Sequence, residues 1–223
     1  MIAHDGAIEH IARRYEGRWL QGYARGKLRS DPIFATAFEL LKDEPLPLLD
    51  IGCGVGLLDF YLRERGFAAP LHGFDFDAAK IAQAQRIASA HYGGLTFSVA
   101  DAAHALPGER RHVVLLDVLH YLDAAAQRDL LERVAERVAP GGLCLIRETL
   151  RDGSWRFRAT QFEELFIRSI RWMKSGARHF PTIAELVAPF ERRGFSAQVR
   201  PLWGRTPFNS HLIILRAPTV EGL

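Results

Sequence analysis

Cysteine is scarce in this chain: there are two, Cys53 and Cys144, each alone in an apolar segment. That excludes a disulfide framework and a zinc site built on paired cysteines, and a reducing cytoplasm is the expected location. The opening MIAHDGAIEH has no basic start followed by an apolar run, so no signal peptide is expected. Apolar runs stop at about six residues, against the ~20 that a membrane-spanning helix needs. Low-complexity tracts and repeats are missing too.

What is present is ordinary globular material. Hydrophobic residues make up 48% and charged residues 25% of 223 residues, which rules out disordered and fibrous classes. The length suits one α/β domain with a modest insertion and buries a sizeable core without staples. Net charge is +3, unevenly placed. Residues 1–146 hold 16 Lys+Arg against 19 Asp+Glu, or −3; residues 147–223 hold 13 against 7, or +6. The basic C-terminal third favours an anionic substrate or partner.

Along the chain, residues 1–44 read as an N-terminal helical cap, helix, turn, then a helix from Pro32 to Leu41 started by Asp31-Pro32. From residue 45, strands alternate with helices. Strands are predicted at 46–51, 71–74, 95–99, 112–116 and 143–147. Asp77 and Asp123 are placed to cap the helices between them. Two late strands, 196–202 and 211–215, follow a helix at 183–193 and form an antiparallel hairpin. The pattern predicts an α/β, Rossmann-like, seven-stranded mostly parallel sheet with one antiparallel edge strand and helices on both faces. A helical lid insertion is expected over about 150–180.

The sharpest signal is Leu48-Leu49-Asp50-Ile51-Gly52-Cys53-Gly54-Val55-Gly56. An apolar strand runs into a turn that requires glycine and then opens a helix. Such a loop lets a ligand approach the backbone and offers it unpaired N–H groups. Three readings compete: a bare structural turn, a nicotinamide or flavin dinucleotide site, and a third class of nucleoside cofactor. A dinucleotide site wants G-x-G-x-x-G, and its last position is here Leu57. That reading, an NAD(P)-dependent oxidoreductase, also leaves Asp50 unexplained.

LLDIGCGVG resembles the first motif of the class I S-adenosylmethionine-dependent methyltransferases of small-molecule type. Twenty-one residues past Gly54, Asp75 in HGFDFD matches that family's acid at the end of the second strand. Asp101 in SVADA, the 113–121 segment VLLDVLHYL and the later APGGLCLIRE match further family landmarks. The resemblance covers about residues 45–150 closely and 180–216 by topology. It implies S-adenosyl-L-methionine as cofactor, held by Asp50, Gly52, Cys53, Gly54 and Gly56. Asp75 would accept the ribose hydroxyls, Phe76 would lie on the ligand side, and Asp101 with Ala102 would meet the adenine. Asp117 would stand at the turn after the fourth strand. Tyr23, Lys27 and Arg25 in the N-terminal segment would close over the methionine end. Each of these acids also has a bland use: Asp50 as a cap of the turn, Asp75 as a surface turn residue, Asp101 as an Asx turn.

Methyl transfer to a phenol or alcohol is helped by a base, and His120 just past the fourth strand is the candidate. Glu148, at the end of the fifth strand, faces the same edge, unless it forms a structural ion pair with Arg147. His179 and His211 are further options. No metal site is expected, because Tyr121 stands where related quinone-pathway enzymes carry a ligating histidine.

The acceptor is expected to be a small molecule. Phe157, Phe162, Phe166 and Trp172 in the expected lid suit an aromatic or polyketide-like compound, and the stretches YARGKLRSDP and TPFNSHLIILR resemble those of small methyltransferases of bacterial lipid- or polyketide-type pathways, which implies secondary metabolism. The neighbouring arginines suit an anionic one, or one carried on an acidic carrier protein. A nucleic-acid methyltransferase is the alternative. Against it, no Pro-Cys and no Asp/Asn-Pro-Pro-Tyr/Phe occur. Neither the oligomeric state nor the choice among O-, N- and C-methylation is legible.

Overall fold

The computed structural model describes residues 2–104, 106–158, 178–203 and 209–219. Most of the expected lid (159–177, with Phe162, Phe166 and Trp172) and the hairpin turn at 204–208 lie outside the described residues. The chain forms two compact units, residues 1–105 and 106–223. Seven strands run in the order β3-β2-β1-β4-β5-β7-β6, mostly parallel and flanked by helices.

The first unit opens with three helices, α1 His4–Arg14, α2 Arg18–Ser30 and α3 Ile33–Leu41. The sequence suggested fewer. Gly17, at φ 82°, breaks the segment and α2 then runs on to Ser30 despite Gly22 and Gly26. Strand β1 (Leu48–Ile51) is buried at all four positions, the mark of a strand covered on both faces. Helix α4 (Leu57–Glu64) follows, then β2 (Leu71–Asp75), α5 (Ala78–His91) and β3 (Leu95–Val99). β1 pairs parallel with β2 (Leu48 opposite Leu71), and β2 parallel with β3. The Asp77 side chain caps α5 as expected, accepting from the Ala79 and Lys80 N–H groups.

The second unit holds β4 (His112–Leu116), a 3₁₀ turn (Leu119–Tyr121), α6 (Ala124–Arg137) and β5 (Leu143–Thr149). Then come α7 (Ile183–Glu191), β6 (Ser196–Pro201) and β7 (Ser210–Arg216). Asp123 caps α6, and Thr182 with Glu185 forms a capping box on α7. β4 and β5 are parallel, while β7 is antiparallel to both β5 and β6. The reversed strand is thus β7, one position in from the edge, with β6 outermost. Its alternating burial is lost because β7 is covered on both faces: Leu212, Ile213 and Leu215 are all fully buried.

Candidate functional site

In the first unit, β1 delivers the chain into the loop 52–56. The Gly52 and Cys53 N–H groups both donate to the Phe74 carbonyl of β2, at 2.8 and 3.0 Å, which ties the loop to the neighbouring strand. Gly54 (φ 58°) and Gly56 (φ 80°) are left-handed, so side chains there would be strained. They differ in surroundings. A Cβ at Gly56 would fall 2.9 Å from the Phe97 ring, whereas one at Gly54 would meet nothing within 4 Å. Gly54 is therefore where a ligand can come up to the backbone.

Asp75, at the end of β2, is 6% exposed. Its Oδ2 accepts the Gly54 N–H at 3.0 Å and its Oδ1 the Asp77 N–H at 2.8 Å. A carboxylate offers about four lone-pair positions, so about two remain for a pair of hydroxyl donors. On either side of it, Phe74 is 1% and Phe76 62% exposed; the two would share a face of an extended chain, and they differ because β2 ends at Asp75 and Phe76 lies beyond it. Asp101 follows β3. Its Oδ1 accepts the Ala103 N–H at 2.9 Å and its Oδ2 lies 3.2 Å from His104, so it builds the Asx turn that also contains Ala102.

Beneath the loop lies a carboxyl pair. Asp50 of β1 and Asp59 in the first turn of α4 are both buried and within hydrogen-bonding reach of each other. Burial pushes both carboxyls up, and the Asp59 charge pushes Asp50 further. Burial and the nearby carboxyls of Asp59, Asp50 and Asp75 also raise the Cys53 thiol, which stays neutral. The Tyr15 hydroxyl, arriving from the end of α1, donates to the Val55 carbonyl at 2.9 Å. Neither Asp59 nor Tyr15 was singled out from the sequence. The one trace of Asp59 is an acid inside the apolar run LLDFYL.

The N-terminal cations have acidic partners of their own. Lys27 Nζ is 2.8 Å from Asp31, and Arg25 forks onto Glu9. Both pairs lie within the N-terminal helices, because α2 places each cation one turn or one helix away from an acid. Tyr23 is half-exposed and stacks on Trp19, ring centres 5.7 Å apart.

In the second unit, His120 on the 3₁₀ turn and Glu148 near the end of β5 form a buried pair. His120 Nδ1 is 2.7 Å from Glu148 Oε1. The same carboxylate accepts the Thr149 N–H at 2.9 Å and the His120 backbone N–H at 3.2 Å. An acceptor at Nδ1 holds the neutral ring in the tautomer whose Nε2 carries the lone pair. Phe180 stacks on His120 at 6.0 Å, and Phe157 meets Phe180 edge-on. Gln127 of α6 braces the turn, its Nε2 donating to the Leu119, Leu122 and His179 carbonyls.

The ion pair considered between Arg147 and Glu148 is not formed. Adjacent residues of a strand point to opposite faces. Arg147 binds Asp117 instead, its Nε donating to Oδ1 at 2.9 Å with a second contact to Oδ2. Asp117 sits at φ 57°, the one left-handed non-glycine among the described residues, just past β4. The structure thus gives Asp117 an arginine as partner. The His179 backbone N–H donates to the His120 carbonyl while its ring lies 3.6 Å from Glu185, and the His211 ring contacts the Asn209 carbonyl.

Residues 48–142 match the family model described as a methyltransferase domain. The ribosomal RNA small subunit methyltransferase C of Pseudomonas aeruginosa is 36% identical over 100 residues. The match covers 43% of this chain, which spans only 30% of that protein's length. Magnesium protoporphyrin IX methyltransferase from Synechocystis PCC 6803, solved with bound S-adenosylhomocysteine, shares the fold with TM-score 0.66 at 18% identity, over 97% of this chain and 98% of that one. An O-methyltransferase family protein from Burkholderia thailandensis gives TM-score 0.69 at 19% identity, over 96% and 64%. The family match makes residues 48–142 a methyltransferase domain, and the shared fold is consistent with the class I S-adenosylmethionine-dependent methyltransferases.

Proposed function

We propose that this enzyme methylates a hydroxyl of a small, partly aromatic acceptor, with His120 as general base. The observation that carries the reading is the buried His120–Glu148 pair at 2.7 Å. A base needs a fixed tautomer and a partner for the charge it acquires, and Glu148 provides both. Arg178, whose N–H donates to the His120 carbonyl at 2.7 Å, and the basic C-terminal third favour an anionic acceptor or one on an acidic carrier protein.

The cofactor, when bound, supplies a methyl group on a positively charged sulfur. The residues present fit it. Gly54 opens on space, and Asp75 keeps acceptor capacity for two ribose hydroxyls. Phe76 offers an exposed ring beside it. Asp50, Gly52, Cys53 and Gly56 shape the loop. Asp101 and Ala102 stand at the tip of β3 for the adenine, and Tyr23 at the N-terminal helices for the methionine end. His120 takes the acceptor's proton at Nε2 while Glu148 steadies the imidazolium. Phe157 and Phe180 keep water from that ring.

The test is methyl transfer to phenolic and hydroxylated acceptors, free and carrier-bound, read by mass. His120→Asn should lower turnover by about 10²–10⁴-fold and leave S-adenosylhomocysteine affinity unchanged. Undiminished turnover would refute the base assignment. A second reading, methylation of RNA, is favoured by the similarity to the ribosomal RNA enzyme. It predicts binding that weakens steeply with salt, as phosphate-dominated contacts do.

A further inference from the structure

Asp59 is fully buried, and neither of its carboxylate oxygens meets a hydrogen-bond donor among the described residues. The group within reach of it is the Asp50 carboxyl, itself 2% exposed. Two acids in such contact inside a protein hold together only by sharing a proton, because two adjacent anions in a low-dielectric interior repel strongly. Asp50 lies two residues before the glycine loop and Asp59 is the third residue of the helix just after it, so the pair flanks Gly52–Gly56, with Cys53 of the loop close enough to feel both carboxyls.

We propose that Asp50 and Asp59 are a proton-sharing carboxyl pair that reads the positive charge of the cofactor. The free protein holds one proton on the pair. A cationic ligand seated at the loop replaces that proton as the neutralising charge, and the proton leaves to solvent. The pair is thereby a specificity element. It favours the sulfonium cofactor over its neutral thioether product, which carries one positive charge fewer, and so helps the product to leave.

The groups facing Asp59 from each surrounding element support this. Asp50 on β1 is an acid, with the further acid Asp75 of β2 acting on it; Cys53 in the loop is a neutral thiol, and Tyr15 at the end of α1 is a neutral phenol. Arg63, one turn along α4, is the nearby cation; its two terminal nitrogens bond the carbonyls of Phe67, Ala69 and Gly94, and its charge reaches Asp59 through space rather than through a hydrogen bond. Among the described residues no cation hydrogen-bonds either carboxyl, so the shared proton is the charge in direct contact with the pair until a cationic ligand arrives. Burial holds the pair's protonation high enough for the exchange to occur near neutral pH.

The inference rests on the cofactor assignment, and calorimetry separates the two. S-adenosylmethionine and S-adenosylhomocysteine are each titrated at neutral pH in buffers of different ionisation enthalpy, which gives the protons released per ligand bound. The wild type should release a proton fraction approaching one with S-adenosylmethionine and clearly less with S-adenosylhomocysteine. Asp59→Asn, which keeps the shape and an amide donor toward Asp50, should bind both without that difference. Should the variant fail to fold, the wild type still decides. Its S-adenosylmethionine affinity should rise up to tenfold per pH unit across the release window. Equal proton release for both ligands, an unchanged count in Asp59→Asn, or a flat pH profile overturns the proposal while leaving the cofactor assignment intact. Binding of neither ligand overturns both.

Discussion

Glu148 holds His120 twice, through the ring at 2.7 Å and through the backbone N–H at 3.2 Å. Orientation and tautomer of the imidazole are therefore set by one carboxylate on a neighbouring strand. Glu148→Gln keeps the shape but puts an amide where the acceptor pair was. It should cost about 10–100-fold in turnover, the scale of losing a ligand-orienting partner, with little change in cofactor affinity. Steady-state kinetics against S-adenosylhomocysteine titration checks this. A matched loss of turnover and affinity would mean the pair is structural.

The brace behind that turn makes a separate prediction. The two N–H groups of Gln127 Nε2 reach three carbonyls, those of Leu119 and His179 at 2.8 Å and that of Leu122 at 3.2 Å as a shared contact. Gln127→Leu leaves those buried carbonyls short of a donor and should destabilise the fold by about 1–3 kcal/mol. Denaturant unfolding measures it, and a change under about 0.5 kcal/mol would show that water replaces the amide.

Much of this was legible in the sequence, for definite reasons. Asp77 and Asp123 announced their helices because a capping acid precedes a helical pattern at a fixed spacing, and both cap as expected. The glycine loop and Asp75 were legible because the left-handed turn and the strand phase leave a local imprint. What sequence cannot show is which distant groups meet. Arg147 was free to pair with Glu148 on paper, yet strand alternation sends it to Asp117, thirty residues away. Tyr15 looks like any helix-end aromatic until its hydroxyl is found on Val55. The same holds for Lys27, whose partner Asp31 only becomes a neighbour once α2 continues past its two glycines.

Tyr15→Phe removes that one hydroxyl. The loss should be about 1 kcal/mol of stability and, because Val55 lies between two left-handed glycines, a several-fold weaker S-adenosylhomocysteine affinity. Paired thermal melts and titrations test it. Unchanged affinity would show that the loop holds its shape unaided.

Gly73 and Gly56 both lie against the Phe97 ring. A Cβ at Gly73 would lie 2.8 Å from that ring and 2.9 Å from Cys53 Cβ. Gly73→Ala should therefore cost about 1–3 kcal/mol by overpacking. A neutral outcome in chemical denaturation would mean that Phe97 moves aside freely.

The carboxyl pair also sets how stability changes with pH. An unfolded aspartate titrates near 3.9, whereas burial raises both Asp50 and Asp59 in the folded chain. The folded chain binds more protons than the unfolded one over that interval. The pair's contribution is fully present below about pH 4 and is lost as pH rises toward the folded value, by about 1.4 kcal/mol for each pH step of one within that interval. Asp59→Asn should flatten the decline in ligand-free melting temperature between about pH 5 and 8. Parallel wild-type and variant curves would contradict it.

One titration bears on all of this most directly: S-adenosylhomocysteine into the wild type and into Asp75→Ala, with NADH as the competing ligand. The wild type should bind S-adenosylhomocysteine and ignore NADH, and removal of the Asp75 carboxylate should weaken binding by at least about tenfold, the equivalent of about 1.4 kcal/mol. Equal affinity in the two proteins, or preference for NADH, would contradict the account.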